Sequence, residues 1–312
     1  MSIISKYAKV GISPTMLFPA SFEDDLVHLH SINTVSRMPQ YEVLETYLAE
    51  DSNIRKQQLR IIRETGKILN YNCPMPLQQD GPKNPCSDDP KIREAGLAYA
   101  KMNVDFAGEA NTTILVLPSP PDKGADKREE LKKRFADFYL QLAEYARQYK
   151  MNICLEPIER HRFKRLLMGP TAECVDFILD LQKQGAQNAR IICDICHIPL
   201  MEEDIKTALE LSMKAGLKLI HMADAVLDQN NEFYGHTHPP IGVQGGIFDQ
   251  KELIQQLTYL FDCGYIPEQP GSERPPVSLE VRPYPGVSSE TSAVAMYEKL
   301  ESAFKAALSA RN

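Results

Sequence analysis

A chain of 312 residues is too long for one small hydrophobic core and fits either two domains or one large α/β barrel. Hydrophobic residues make up 43% and charged residues 25%, which is typical of a soluble globular protein. The net charge of −7 argues against nucleic acid as a partner, because phosphate binding favours a basic surface.

The beginning of the chain carries no signal peptide pattern, because Lys6 and Lys9 interrupt it and no apolar core follows. No stretch approaches the roughly 18 apolar residues of a membrane span. The seven cysteines are odd in number and irregularly spaced, which is typical of reduced thiols. We therefore expect a cytoplasmic protein with no membrane partner.

Short apolar runs rich in β-forming residues recur along the whole chain and predict eight strands. They are KVGIS (9–13), YEVLETYL (41–48), KILNYNC (67–73), TTILVLP (112–118), MNICLEP (151–157), ARIICDI (189–195), LKLIHMA (217–223) and VSLEV (277–281). Eight strand–helix repeats of roughly 39 residues each fit a (β/α)8 TIM barrel. A doubly wound sheet is disfavoured, because no Gly-x-Gly-x-x-Gly follows the first strand. The prediction is a single barrel domain over residues 1–312 with extended βα loops.

Amphipathic segments between these runs predict helices, with Gly216 and Gly264 placed to end two of them. The predicted helices cover 89–107, 127–148, 171–182, 202–214 and 250–261. Long loops are expected at 76–90, 227–249 and 266–276. In a barrel, long βα loops cover the active-site face.

Four strands carry a charged or metal-binding side chain at or near their ends: Glu156, Asp194, His221 and Glu280. A single carboxylate at a strand end is usually a cap or a surface ion pair. Four at corresponding positions of neighbouring barrel strands converge on one point at the C-terminal mouth. Burying them is costly unless they bind a cation. Three carboxylates and one imidazole suit Mn²⁺, Mg²⁺ or Co²⁺.

The stretch ICDICHIPL (191–199) also contains a Cys-x-x-Cys pair, which could indicate a redox or zinc site. Strand alternation places Asp194 and Cys196 on one face and Cys193 on the other. Two thiols on opposite faces do not chelate one ion readily, so we favour chemistry at Asp194.

The segments EPIER, Asp194-x-x-His197, HTHPPIGVQGGIFD (236–249) and Glu280 resemble sugar isomerases and epimerases of the xylose isomerase-like TIM barrel superfamily. Ketose 3-epimerases, hydroxypyruvate isomerases and inosose dehydratases are members of this group. The resemblance implies one divalent ion held by Glu156, Asp194, His221 and Glu280, with Mn²⁺ expected and Mg²⁺, Co²⁺ or Zn²⁺ as alternatives. It also implies substrate contacts from His197 and Arg160.

The pair His236 and His238 has three interpretations. The string HTHPPIG resembles the segment that supplies extra zinc ligands in endonuclease IV, so a second metal site and DNA repair are alternatives. That family has histidines at the ends of strands three and four, where this chain has NYNCPMP and LVLPSP. We favour a substrate-covering loop that brings His238 to the substrate, with plain surface histidines as the third interpretation.

Arg162 stands where ketose 3-epimerases often have a glutamate that contacts the sugar, so the resemblance to enzymes of neutral ketohexoses is incomplete here. The cluster Arg160, Arg162, Lys164 and Arg165 either binds a carboxylate or phosphate or is a solvated basic loop. Arg282 lies on the same face as Glu280 and is a further candidate substrate contact.

The resemblance implies a metal-dependent isomerase or epimerase of a small sugar or sugar acid. In this chemistry, a metal-stabilised enediolate forms while Glu156 and Glu280 act as acid and base. A dehydratase or lyase using the same enolate chemistry is the alternative, and a sugar-binding barrel without activity is less favoured. The expected partner is a small molecule, and related enzymes are commonly dimers or tetramers.

Overall fold

Eight parallel strands in chain order close into one barrel in the computed structural model, which describes residues 2–271 and 273–311. The strands are β1 (Lys9–Ile12), β2 (Val43–Thr46), β3 (Ile68–Asn72), β4 (Ile114–Pro118), β5 (Asn152–Glu156), β6 (Ala189–Asp194), β7 (Leu217–Met222) and β8 (Pro276–Leu279). Each strand overlaps its predicted run, and the (β/α)8 fold class is confirmed.

Ten α-helices lie between or after the strands of the described residues, and two of them, α1 and α7, are only four residues long. They are α1 (Pro14–Leu17), α2 (Asp25–Ser36), α3 (Ser52–Thr65), α4 (Pro90–Glu109), α5 (Ala125–Ala146), α6 (Thr171–Lys183), α7 (His197–Leu200), α8 (Ile205–Lys214), α9 (Gln250–Asp262) and α10 (Ser289–Ser309). The five predicted helices correspond to α4, α5, α6, α8 and α9. None of the described helices has the length and apolar character needed to cross a bilayer.

Glycines end two of these helices where the sequence predicts. Gly216 follows α8 with φ 75°, and Gly264 follows α9 with φ 77°. This left-handed conformation is readily adopted only by glycine, so it stops the helix and turns the chain. In α8, the turn leads directly into β7, which carries His221.

The inner face of the barrel changes from apolar to charged toward the C-terminal ends of the strands. Cys154, Ile192 and Leu219 belong to a buried apolar cluster that also includes Ile114 and Val116. Side chains two residues apart lie on the same face of a strand. Glu156, Asp194 and His221 each follow a member of this cluster by two residues, so they form the next layer toward the mouth.

His28 packs inside the protein. It lies on the buried face of α2, where its Nε2 is 2.8 Å from Thr46 Oγ1 and its Nδ1 is 3.2 Å from Gln58 Nε2. Polar residues on this buried face weaken the apolar periodicity, which explains why α2 was not predicted. Burial lowers the pKa of His28 to about 4.

We expect this histidine to make stability fall in mild acid. The unfolded chain takes up a proton near pH 6.5 and the folded chain only near 4, so lowering the pH through this window favours unfolding. Between pH 7 and pH 5, His28 should lower the free energy of unfolding by about 2 kcal/mol. Urea unfolding of wild type and His28→Gln at both pH values measures it. The pH-dependent loss of stability should be smaller by about this amount in His28→Gln, and His30→Gln, at an exposed position of the same helix, should behave like the wild type.

Candidate metal centre and active site

The structure brings Glu156, Asp194, His221 and Glu280 together at the mouth of the barrel. Glu156 and Asp194 are the last residues of β5 and β6, His221 is next to last in β7, and Glu280 follows β8 directly. Asp194 and His221 are paired across neighbouring strands. One donor atom from each of the four residues lies within 4.8 Å of all the others.

Several donor atoms in this group have no hydrogen-bond partner although they are buried. They are Asp194 Oδ2, Glu280 Oε2 and both ring nitrogens of His221. His221 Nδ1 lies 2.7 Å from Glu280 Oε2 and 4.0 Å from Glu156 Oε1. His221 Nδ1 and Glu280 Oε2 are close but do not form a hydrogen bond with each other. Two metal ligands that point to one ion are arranged in this way. Orphaned buried polar atoms cost free energy, and a shared cation would satisfy Asp194 Oδ2, Glu280 Oε2 and one ring nitrogen of His221.

The electrostatics of the group also fit a cation. Burial, and then the negative charge of Glu280, raise the pKa of Glu156 well above its usual range. Burial likewise raises the pKa of Asp194. Burial would also raise the pKa of Glu280, but the neighbouring His221 and His238 together outweigh it and lower that pKa. Three carboxylates in one dry space repel one another, and a divalent ion would neutralise that repulsion. The hard oxygen donors suit Mn²⁺ or Mg²⁺.

Three histidines form a second cluster beside these residues. His238 Nε2 lies 3.4 Å from His197 Nε2 and 3.2 Å from His236 Nε2. The other ring nitrogens of two of them have partners: His197 Nδ1 is 3.2 Å from the Pro157 carbonyl oxygen, and His236 Nδ1 is 3.2 Å from Glu159 Oε2. Burial lowers the pKa of all three imidazoles, which favours their neutral forms.

Two histidines of this second cluster, His197 and His238, also belong to a group with the composition of a metal site. Donor atoms of Asp194, Cys196, His197 and His238 lie within 4.8 Å of one another. His197 Nε2 and His238 Nδ1 are each 3.5 Å from Asp194 Oδ2. The arrangement is therefore compatible both with histidines that contact a substrate and with the second ion that HTHPPIG suggested.

The cysteines take no part in a disulfide, and each of the seven is free. Cys193 is buried in the core, as expected. The Cys196 backbone N–H donates to Asp194 Oδ1 at 2.8 Å, which leaves Asp194 Oδ2 directed into the centre.

A cavity of about 330 Å³, within the size range of small-molecule sites, is lined by two of the four predicted ligands, Glu156 and Glu280. Three of the predicted substrate contacts line it: His197, His238 and Arg282. The remaining wall is largely apolar, and Phe22 is 49% exposed at its edge. Its other lining residues include Met16, Tyr47, Asn72, Met75, Val116, Pro118, Ile158, Lys164 and His236.

Arg160 has different partners from those that the sequence suggested. Its guanidinium donates two hydrogen bonds of 2.8 Å to the Glu173 carboxylate and also bonds to the Leu167 carbonyl oxygen. Arg160 is buried, and the described residues that line the cavity do not include it. Its side chain turns away from the mouth of the barrel, and its bonds to Glu173 link the loop after β5 to α6. Arg162 is paired with Glu202 at the surface.

Two buried carboxylates near the site were missed by the sequence analysis. Glu159, within EPIER, accepts a hydrogen bond from the Lys164 backbone at 2.8 Å and contacts His236. Glu45, in β2, has an oxygen 3.7 Å from His221 Nε2. A glutamate inside the apolar run VLET (43–46) was the available signal for Glu45.

Comparisons with known proteins agree with this fold. A crystal structure of a D-tagatose 3-epimerase-like protein superimposes with a TM-score of 0.69 at 16% identity, covering 96% of this chain and 99% of that one. D-psicose 3-epimerase from Clostridium cellulolyticum H10, solved with D-tagatose, gives 0.65 at 17% identity, with 96% and 99% coverage. The 3-keto-D-glucoside 4-epimerase of E. coli gives 0.65 at 17% identity, with the same coverage.

No curated protein matches the chain in sequence. A family model described as xylose isomerase-like TIM barrel matches residues 39–280. The matched region begins before β2 and reaches Glu280, so it contains all four residues of the candidate metal centre. The chain belongs to the xylose isomerase-like TIM barrel family.

Proposed function

We propose that this protein is a divalent-metal-dependent epimerase or isomerase of a small sugar or sugar acid. The observation that carries the proposal is the group of four converging donors, two of which line a cavity of small-molecule size. The sugar epimerases among the structural neighbours support it as far as their shared fold allows.

Glu156, Asp194, His221 and Glu280 would hold the ion, for which we propose Mn²⁺, with Mg²⁺, Co²⁺ and Zn²⁺ as alternatives. When bound, such an ion acts as a Lewis acid toward a carbonyl and an adjacent hydroxyl and stabilises the enediolate of the sugar. The three imidazoles beside the ion site would hold hydroxyl groups of the substrate. His197 and His238 are the closest of these to Asp194.

The two glutamates would move the proton. A carboxylate within hydrogen-bond reach removes the proton from the carbon next to the carbonyl. If the second carboxylate returns a proton to the opposite face, the product is an epimer. If the first returns it to the neighbouring carbon, aldose and ketose interconvert. The two carboxylates approach the same point, because His221 Nδ1 lies 4.0 Å from Glu156 Oε1 and 2.7 Å from Glu280 Oε2.

Deuterium wash-in from D₂O tests this proposal across a panel of ketoses, inososes and keto acids. We expect exchange at a carbon next to the carbonyl of at least one compound, lost with a chelator and restored by Mn²⁺. Loss of water or carbon–carbon cleavage in the same spectra would identify a dehydratase or lyase. Absence of exchange with every compound would contradict an enzyme of this class and favour a sugar-binding barrel.

An endonuclease IV-like activity is disfavoured by the structure of the mouth. Asn72 ends β3 and Pro118 ends β4, and both line the cavity where that family has histidines. Metal analysis distinguishes the endonuclease from the sugar enzyme. One divalent ion per chain fits the sugar enzyme, and three zinc ions per chain would contradict it.

The remaining proposals concern the whole chain. We propose that residues 1–312 act as one barrel domain and that the protein works in the cytoplasm on a small molecule, without nucleic acid. The seven free cysteines are compatible with a reducing compartment. A homo-oligomer is compatible with the family, and light scattering would give its size.

A further inference from the structure

Glu45 is a fully buried carboxylate to which the proposed proton transfer gives no part. It lies on β2 with 0% exposure, on the interior side of His221 opposite the cavity. Its Oε1 accepts hydrogen bonds from Asn70 Nδ2 at 2.7 Å and Ser278 Oγ at 2.6 Å. A buried carboxylate is costly, so one held in this way needs an explanation.

Residues of three strands surround this carboxylate: Asn70 of β3, Ser278 of β8 and Gly11 of β1. Glu45 pairs with Asn70 across β2 and β3, and His221 pairs with Ser278 across β7 and β8. Strand β1 approaches closely at Gly11, where an added Cβ would lie only 2.1 Å from Ser278 Oγ. The position of Oε1 is therefore set by two hydrogen bonds, and Ser278, which makes one of them, is packed closely against β1.

With Oε1 held in this way, the other oxygen faces the imidazole. Glu45 Oε2 lies 3.7 Å from His221 Nε2 and has no hydrogen-bond partner. The other ring nitrogen, Nδ1, points toward Glu280 and Glu156. The imidazole is thus placed between a carboxylate on one side and the candidate metal centre on the other.

We propose that Glu45 is a positioning residue that prepares His221 to bind the ion through Nδ1. A carboxylate that faces Nε2 fixes the direction of the ring, so that the opposite nitrogen, Nδ1, points to the metal centre. Partners of this kind orient metal-binding histidines, and their replacement typically lowers metal affinity about 10- to 100-fold. The inference rests on the metal centre of the proposed function.

The test is the dissociation constant for Mn²⁺ of Glu45→Gln, measured by competition with a chelator. Glutamine keeps an oxygen for Asn70 and Ser278, but presents an N–H instead of a carboxylate oxygen to His221 Nε2. We expect Mn²⁺ affinity to fall about 10- to 100-fold. The matched control is Glu301→Gln, the same substitution at another buried carboxylate, which accepts from the Ile3 and Ile4 N–H groups and does not contact His221. It should lower the free energy of unfolding while Mn²⁺ affinity stays within about threefold of wild type.

The outcomes separate this inference from the proposed activity. Affinity of Glu45→Gln within threefold of wild type would overturn the positioning role, as would an equal loss in Glu301→Gln, because that would be a general effect of lost stability. If the wild type bound no divalent ion, the metal centre and the role of Glu45 would both fail. A selective loss of affinity in Glu45→Gln, with no proton exchange on any sugar, would support the positioning role and contradict only the enzyme.

Discussion

Asp194→Asn should weaken metal binding by at least about 100-fold, because the loss of a direct ligand exceeds that of an outer partner. The substitution is nearly isosteric. Asn keeps the oxygen that accepts from the Cys196 backbone N–H, and it places an amide N–H where the unpartnered Asp194 Oδ2 now lies. That N–H cannot bind a cation. Isothermal titration with Mn²⁺ would measure the change, and metal-dependent proton exchange should fall with it.

The same variant should be at least as stable as the wild type when a chelator is present. Burial raises the pKa of Asp194, so the metal-free protein holds this carboxylate at a cost that asparagine removes. Asp224 is the matched control, because its oxygens accept from the Ala225, Gly242 and Phe248 N–H groups. Asp224→Asn should lower the free energy of unfolding. Wild-type Mn²⁺ affinity in Asp194→Asn would contradict the proposed centre.

Glu156→Gln should reduce proton transfer at saturating metal by about 10²- to 10⁴-fold, the usual contribution of a positioned acid or base. Glutamine retains a carbonyl oxygen that can still bind an ion, so the rate should fall more than metal affinity. The reaction rate is measured with Mn²⁺ in excess, and the metal content of the variant is measured in parallel. A rate within tenfold of the wild type would contradict the role of Glu156.

Comparison with Glu280→Gln distinguishes the two possible reactions. If the glutamates serve opposite faces of the substrate, each variant should still exchange the proton of one epimer with D₂O while failing to interconvert the pair. If a single carboxylate carries the proton between neighbouring carbons, only one of the two variants should lose exchange. Loss of bound metal in both variants would be detected separately by the metal analysis.

The fold was largely predictable from the sequence because each strand of a barrel is a short apolar run between polar turns. All eight runs became strands, including VSLEV (277–281), which begins one residue earlier than predicted. Helices with a clear apolar stripe, such as α5, were also predicted. The pattern failed where polar residues pack inward, as His28 does on α2. Local periodicity contains no information about a hydrogen-bond partner on another strand.

The candidate site was predictable only in part, for the same reason. Charged residues that end apolar strands point to one mouth, so Glu156 and Asp194 stood out. Glu45 lies within its strand, and its partners Asn70 and Ser278 come from distant parts of the chain. Arg160 has the expected place in the chain, but its guanidinium forms an ion pair with the nearby Glu173 carboxylate. Side-chain direction depends on such contacts, which a motif does not specify.

The most direct test of the metal centre is a crystal structure of the Mn²⁺-saturated protein with anomalous diffraction recorded at the manganese edge. We predict one strong peak within about 2.0–2.3 Å of donor atoms from Glu156, Asp194, His221 and Glu280. A peak elsewhere, with these four residues binding no ion, would contradict the account.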